Sequence, residues 1–254
     1  MMDGSGTASP ITAFAPDTTR LSAFIRGARE TPFVPSAILF STFIGFGALT
    51  AQTGLTLFDT LLMSVFIFAM PGQVALVDEM ARGASMLTAA LSVAATGVRL
   101  LPMTVSLLPT MREPRVPKWM EFAVACYVSV TMWIESLRRG PFVPRHLRAA
   151  YSLGIIGWLV VGSAVAATFG FLIAKEVPTA IAAALLFMTP LYFLLGMFGS
   201  SRTLANAMPI AVGLVLGPIF HLIWPSIDLL LTGLVGGTAS FLISRYVLAK
   251  ASRP

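Results

Sequence analysis

The chain has 254 residues, of which 56% are hydrophobic and 11% charged, and its net charge is +6. Soluble domains typically carry about 25% charged residues, so this composition excludes an ordinary water-soluble fold and favours a protein embedded in lipid. The basic residues lie between apolar runs, which argues against nucleic-acid binding, and one cysteine and two histidines provide neither a disulfide nor a metal site. We therefore expect no metal and no cofactor.

The N-terminal region divides into two parts. Residues 1–19 are small and polar and lack the apolar stretch of a cleavable signal, so we expect a flexible tail. In residues 20–32, apolar side chains recur at helical spacing and the arginines lie off that stripe: Leu21, Phe24, Ile25 and Ala28. This pattern predicts an amphipathic helix at the membrane interface, with a poorly ordered tail as the alternative. We expect the transmembrane domain to cover residues 33–250.

Eight apolar stretches of roughly 20 residues follow, each long enough to cross a bilayer as a helix. They are Phe33–Thr53, Phe58–Val77, Ala84–Pro109, Trp119–Leu137, Tyr151–Ala174, Thr179–Phe198, Leu204–Trp224 and Ile227–Leu248. The sequence thus predicts an all-α polytopic membrane protein with about eight transmembrane helices. With eight crossings, the side of the termini carries twelve Lys and Arg residues and the other side four, which predicts cytoplasmic termini.

The fourth stretch, Trp119–Leu137, is the least apolar of the eight. It contains Glu121 and Glu135, and a basic loop precedes it. If this stretch dips into the membrane without crossing, seven crossings remain and the Lys and Arg count becomes eleven against five. Both topologies therefore stay open, and the eight-helix topology has the larger charge bias.

A proline and a glycine interrupt the second stretch at Met70-Pro71-Gly72-Gln73. Proline removes a backbone donor and clashes with the preceding helical turn. Broken helices are tolerated at membrane depth where they line a cavity, and their free backbone groups bind polar ligands there. The Gln73 amide adds both a donor and an acceptor. The alternative is a proline kink that serves only packing.

The third stretch carries a positive charge near its middle, Arg99, shortly after Thr96. A charge at that depth is costly and usually marks a partner, a cavity or a substrate path. Because a guanidinium group binds carboxylates through two parallel hydrogen bonds, Arg99 is a candidate contact for an anionic or carboxylate ligand. The alternative is a structural ion pair with Glu121, Glu135 or another acidic residue.

The second half of the chain shows weaker versions of these features. Thr189-Pro190 and Asn206 with Pro209 are predicted to break two further helices, and a four-residue apolar match to the third stretch hints at an internal repeat. Among the acidic residues within or near the stretches, Asp59 and Glu135 are candidates for proton coupling. The chain has no nucleotide phosphate loop and no hydrolase motif, so we expect a protein that is neither ATP-driven nor an enzyme.

Several short motifs occur in a characteristic order along the chain. They are Phe24-Ile25-Arg26-Gly27, Gly45-Phe46-Gly47-Ala48-Leu49, Phe68-Ala69-Met70-Pro71-Gly72-Gln73, Val98-Arg99-Leu100-Leu101 and Ser106-Leu107-Leu108-Pro109. In this respect the chain resembles the large subunits of the AzlC/YgaZ-like branched-chain amino-acid exporters. It departs from their pattern at Gly97 and Leu100, where the family usually has Asn and His beside the arginine. The resemblance implies export of valine, leucine, isoleucine or a related amino acid across the bacterial inner membrane, coupled to the proton gradient, together with a small AzlD-like membrane subunit.

These observations combine into one hypothesis about the binding site. The break at Pro71-Gly72 and the polar groups of Gln73, Thr96 and Arg99 bind the zwitterionic end of an amino acid, and three apolar side chains surround its aliphatic part: Phe66, Phe68 and Met70. The alternative is a non-transporting scaffold or regulatory subunit of a larger membrane complex, which predicts no cavity at mid-depth.

Overall fold

The computed structural model describes Phe14 and residues 18–114, 116–176, 178–200, 204–223 and 231–243. Within these residues the protein is helical and contains no strand, which confirms the all-α prediction. The helices are α1 Arg20–Glu30, α2 Phe33–Gln52, α3 Leu57–Phe66, α4 Met70–Ala81, α5 Met86–Gly97, α6 Leu101–Leu107, α7 Lys118–Cys126, α8 Val130–Arg139, α9 Arg145–Leu172, α10 Thr179–Ser200, α11 Leu204–Ile223 and α12 Thr232–Ile243, which begins with a π-helical turn.

Helices α2 and α9 are long and apolar enough to cross a membrane. Helices α5 and α6 are separated by a bend of 50°. If they are counted together, they form a third span. The described residues therefore support a helical membrane protein, while the number of eight crossings stays a prediction. Two stretches that we expected as single spans, 58–77 and 119–137, are each divided into two short helices.

Helix α9, 28 residues long, is the centre of the fold. Helices α1, α2, α3, α7 and α8 pack against it, and α10 packs on the other side of α2. Close backbone approach allows this arrangement: a Cβ atom at Gly47 of α2 would overlap the carbonyl oxygen of Ala167 in α9, and one at Gly170 would overlap that of Ile44. Small residues at such crossings maximise the contact between helices in lipid.

The N-terminal helix α1 covers Arg20–Glu30, within the range 20–32 for which we predicted a helix, and most of its apolar stripe is exposed although the Phe24 ring lies beside Gly157 of α9. Ala23 and Gly27 are buried against α9, whereas Leu21 is 68% exposed. A Cβ at Gly27 would overlap the backbone of Tyr151, and one at Gly154 would overlap that of Phe24. The exposed stripe agrees with the pattern from which we predicted an interfacial helix, and the location itself stays a prediction.

Candidate functional site

The break in the second predicted span lies at residues 67–69, between α3 and α4. Ile67 and Ala69 have extended or irregular backbone angles, with φ of −112° and −144°. Pro71 stands in the first turn of α4, where a missing N–H group removes no helical hydrogen bond. The break is therefore present but precedes the predicted position by three residues, because this proline begins a helix instead of interrupting one.

The side chain of Gln73 joins the two half-helices. It is 0% exposed, and its Nε2 donates hydrogen bonds to the carbonyl oxygens of Met63, at 2.9 Å, and Ile67, at 2.6 Å. Since carbonyls only accept, the nitrogen must be the atom that faces them, and this fixes the orientation of the amide. The other amide atom, Oε1, is buried and has no hydrogen-bond partner among the described residues.

Gly72 and Thr96 bring α4 and α5 into contact. A Cβ at Gly72 would lie 3.1 Å from Thr96 Oγ1, which donates to the carbonyl of Val93 at 2.7 Å. The backbone of Arg99 belongs to the 3₁₀ turn Val98–Leu100, at the bend between α5 and α6. Its side chain lies outside what the structure describes. The structure thus places Thr96 against Gly72, next to Gln73 in sequence, and the role of Arg99 stays a prediction.

A cluster of four aromatic rings lies at the break, and we call it the ring cluster: Phe43, Phe46, Phe68 and Tyr127. Phe68 stacks on Phe43 with a centroid distance of 5.9 Å, and Tyr127 lies 6.5 Å from Phe68. Phe43 in turn meets Phe46 edge to face at 6.2 Å. Met70 packs against the same core. We expected Phe66 to surround the aliphatic part of the substrate together with Phe68 and Met70. Its side chain is instead 73% exposed, on the outer side of α3.

Tyr127 belongs to a second break, between α7 and α8, which the sequence analysis did not place. Residues 127–129 separate the two helices, and Ser129 Oγ accepts from the backbone N–H of Met132 at the start of α8. Trp133 of α8 donates to Ser106 of α6 at 2.9 Å. Because Tyr127 contacts Phe68, the two helix breaks face each other.

The two proton-coupling candidates lie in different surroundings. Asp59 forms a capping box with Thr56 at the start of α3, a local role that satisfies its carboxylate. Glu135 is 4% exposed and accepts from Arg139 Nε at 2.9 Å. Arg139 also approaches Glu30 of α1 at 3.5 Å. Glu30 and Arg139 were missed because their pairing joins distant parts of the chain.

The second-half candidates lie on continuous helices. Helix α10 continues through Thr189-Pro190, and α11 continues through Asn206 and Pro209, so the breaks predicted there are not observed. The side chains of Thr189, Pro190 and Asn206 lie outside the described part of the structure, and their roles in binding stay predictions. Among the residues that are described, no group of three His, Cys, Asp or Glu side chains is arranged to hold a metal ion.

Comparison with known proteins gives one match. The model of the AzlC protein family matches residues 35–177, which is more than half of the chain and includes both helix breaks. No curated protein and no solved structure matches.

Proposed function

This chain is a member of the AzlC protein family, and on that premise we propose that it is a subunit of a secondary transporter. Its family consists of transport-related membrane proteins. The proposal is that it exports branched-chain or related amino acids across the bacterial inner membrane, coupled to the proton gradient, together with a small AzlD-like subunit. The proposed topology has eight membrane crossings and cytoplasmic termini.

The observation that carries the proposed binding site is the unpartnered Oε1 of Gln73. A buried acceptor without a donor is costly, so the unpartnered Oε1 supports a site at which a ligand supplies the missing hydrogen bond. The ammonium group of an amino acid is such a donor. The first turn of α4 supplies backbone N–H groups and the positive end of the helix dipole, which suit the substrate carboxylate. Arg99 is the proposed second contact for this carboxylate.

The ring cluster supports the apolar part of the proposal. Phe68 precedes α4 by two residues and stacks on Phe43, and Met70 packs beside them. An aliphatic side chain whose polar end binds at Gln73 would contact these groups. Apolar walls with a few polar atoms that fix orientation are typical of small-molecule sites.

A non-transporting scaffold subunit is the second candidate. The full burial of Gln73 and the close ring contacts favour it, because a scaffold has no use for an open cavity at mid-depth. The two candidates differ in one measurable property, the movement of an amino acid through the membrane.

The test is efflux of labelled leucine, isoleucine or valine from vesicles that contain the full chain together with the proposed small subunit. Gln73→Leu should abolish efflux, because it removes the acceptor for the ammonium group. Ser64→Ala is the matched control. Ser64 is as buried as Gln73, and its replacement removes one hydrogen bond, to the carbonyl of Thr60, but the proposal gives the Ser64 hydroxyl no contact with the substrate. Unchanged efflux by Gln73→Leu would remove Gln73 from the site. Absence of efflux for all three amino acids would favour the scaffold.

A further inference from the structure

Helices α2 and α9, which are both long and apolar enough to cross a membrane, run in the same direction. A Cβ atom at Gly162 of α9 would overlap the ring of Phe40 in α2, and one at Gly170 would overlap the backbone of Ile44. Contacts that advance along α2 therefore also advance along α9. We call the side of the membrane at which α9 begins the near side, and the side at which it ends the far side. Helix α2 thus leads from the near side to the far side.

The segment that contains α7 and α8 starts and ends on the near side. Before α7, the carbonyl of Thr110 accepts a hydrogen bond of 2.9 Å from Arg148, in the first turns of α9, and an ion pair of 3.9 Å between Arg112 and Glu121 keeps α7 close by. The end of α8 lies against the same part of α9 in an ionic cluster of five side chains: Arg26, Glu30, Glu135, Arg139 and Tyr151. Because α9 has 28 residues and is about 42 Å long, a segment that crossed the membrane would not have both ends at its beginning.

The break between α7 and α8 lies at mid-depth between these two ends. Tyr127 contacts Phe68, with ring centroids 6.5 Å apart, and Phe68 stacks on Phe43 near the middle of α2. Beyond the break, α8 is joined to α9 by a hydrogen bond of 2.9 Å between Ser136 and Ser152. Helix α7 therefore leads inward from the near side, and α8 leads back to it.

Helix α3 approaches the same depth from the far side. Thr60 of α3 donates to Thr50, near the end of α2, at 2.8 Å, whereas Phe68, farther along the chain, stacks on Phe43. Contacts that advance along α3 thus go backwards along α2, so the two helices are antiparallel. The break at residues 67–69 therefore lies at mid-depth, where it meets the break that carries Tyr127.

Helix α4 returns to the far side, because the helices that follow it lead from the far side to the near side. Helices α5 and α6 differ in direction by 50°, and the turn after them ends at Thr110, on the near side. The chain from Thr96, beside Gly72 at the break, to Thr110 is helical and about 21 Å long, which is the distance from mid-depth to the near side. Helix α4 packs antiparallel to α5, since Ser92 donates to Glu79 at 2.8 Å while Gly72 meets Thr96. The turn between α4 and α5 is thus on the far side.

The distribution of basic residues supports this arrangement independently. With two hairpins, six crossings remain, namely α2, the α5–α6 pair, α9 and the three predicted stretches after it. When Arg99 is left out as part of a span, the near side, which also holds both termini, carries fourteen Lys and Arg residues, and the far side carries two, Arg82 and Lys175. This bias exceeds the twelve against four of eight crossings. It also puts the basic loop 112–118 in the cytoplasm, where such loops are favoured.

We propose that α3–α4 and α7–α8 are two re-entrant hairpins, which enter the membrane from opposite sides and meet at the ring cluster. The proposed binding site at Gln73 then lies between the tips of the two hairpins, with one hairpin between it and each side of the membrane. Non-helical backbone at this depth is tolerated where protein covers it, and here each tip covers the other. The inference replaces the eight crossings of the proposed topology by six and keeps both termini in the cytoplasm. The location of a substrate rests on the proposed function, whereas the hairpins do not.

The experiment determines from which side of the membrane each connecting turn reacts with a membrane-impermeant maleimide. Cys126 is first replaced by alanine, because it is exposed and would react as well. Single cysteines are then introduced by Ala84→Cys, between α4 and α5, and by Pro114→Cys, before α7. Neither substitution changes the charge, and neither side chain is buried. Each full-length variant is labelled in right-side-out and in inside-out membrane vesicles.

Two matched control variants define the two sides. Thr53→Cys follows α2 on the far side, and Pro141→Cys precedes α9 on the near side, with six crossings as well as with eight. Both side chains are exposed. We expect Ala84→Cys to react from the same side as Thr53→Cys, and Pro114→Cys to react from the same side as Pro141→Cys.

Eight crossings predict the reverse for both test positions, so each gives an independent decision. The inference is overturned if Ala84→Cys reacts from the side of Pro141→Cys, or if Pro114→Cys reacts from the side of Thr53→Cys. Reaction from neither side would also overturn it, because both turns should be in contact with water. No efflux is measured, so the result is independent of whether the chain transports an amino acid.

Discussion

Replacing Gln73 by glutamate should destabilise the protein more than replacing it by leucine, although glutamate has nearly the shape of glutamine. The reason lies in the two carbonyl oxygens that Gln73 Nε2 contacts, those of Met63 at 2.9 Å and Ile67 at 2.6 Å. A carboxylate would place an oxygen against both of them. Leucine places no polar atom there and also removes the unpartnered Oε1.

The sizes of the two effects follow from the hydrogen bonds that remain. In Gln73→Leu, each carbonyl keeps a backbone donor, since Met63 O accepts from Ile67 at 3.0 Å and Ile67 O from Ala69 at 2.7 Å. Two lost hydrogen bonds of about 1 kcal/mol each are offset by the removal of a buried unpaired acceptor that costs about 1–3 kcal/mol. The free energy of unfolding of Gln73→Leu should therefore lie within about 2 kcal/mol of that of the unchanged chain.

In Gln73→Glu, the buried side chain must be protonated to act as a donor. Protonating a carboxyl group with an ordinary pKa of about 4.3 at pH 7 costs about 4 kcal/mol. Because this side chain must take up a proton when the protein folds, its destabilising effect is largest at neutral pH and decreases as the pH falls.

The assay is thermal unfolding of the detergent-solubilised protein, followed by size-exclusion chromatography of the fraction that stays monodisperse. At neutral pH the unchanged chain and Gln73→Leu should have similar stability, and Gln73→Glu should be much less stable than both. At mildly acidic pH the glutamate variant should recover most of the difference. Equal stability of the two variants at neutral pH would refute the assignment of the Gln73 amide orientation.

Two further predictions concern helix packing. Gly154→Ala should destabilise the protein by about 1–3 kcal/mol, because the added Cβ would overlap the backbone of Phe24, whereas a Cβ at Gly157 meets only the flexible end of the Phe24 ring at 3.1 Å; a smaller loss of thermal stability for Gly154→Ala than for Gly157→Ala would contradict this packing. Thr60→Val should cost about 1 kcal/mol, because it removes a hydroxyl that donates to Thr50 Oγ1 at 2.8 Å and to the carbonyl of Thr56 at 3.0 Å, while Thr50 keeps its own bond to a backbone carbonyl. Thermal unfolding measures both variants, and a loss larger than that of Gly154→Ala would contradict this assignment.

The sequence predicted the first break to within three residues, and the error has a physical cause. Proline is unfavourable inside a helix and favourable in its first turn, so Pro71 is compatible with either a break or a start at that position. The motif at residues 70–73 does not distinguish them. The deciding contact is the amide of Gln73, which binds carbonyls six and ten residues earlier and so fixes the end of α3 and the start of α4 together.

The second break and the ionic cluster were less accessible to sequence analysis. Neither proline nor glycine occurs at residues 127–129, and the one local signal is Ser129 as the N-cap of α8. The contact of Tyr127 with Phe68 is a tertiary one. The pair of Glu30 and Arg139 joins residues 109 positions apart, and no periodicity along the chain records such a pairing. Conversely, the prolines at 190 and 209 predicted breaks in helices that continue through them.

The shortness of the divided helices has a consequence for biosynthesis. Helices α3, α7 and α8 contain 10, 9 and 10 residues, and at 1.5 Å per residue each is about 15 Å long, half the thickness of the hydrocarbon layer. None of them satisfies the length for independent insertion, and the backbone groups at their ends need protein neighbours before they leave water. The continuous helices α2 and α9 meet the requirement alone. Assembly in the bilayer should therefore begin with those two, and the divided segments should settle only after α9, which is synthesised later than all three, has been made.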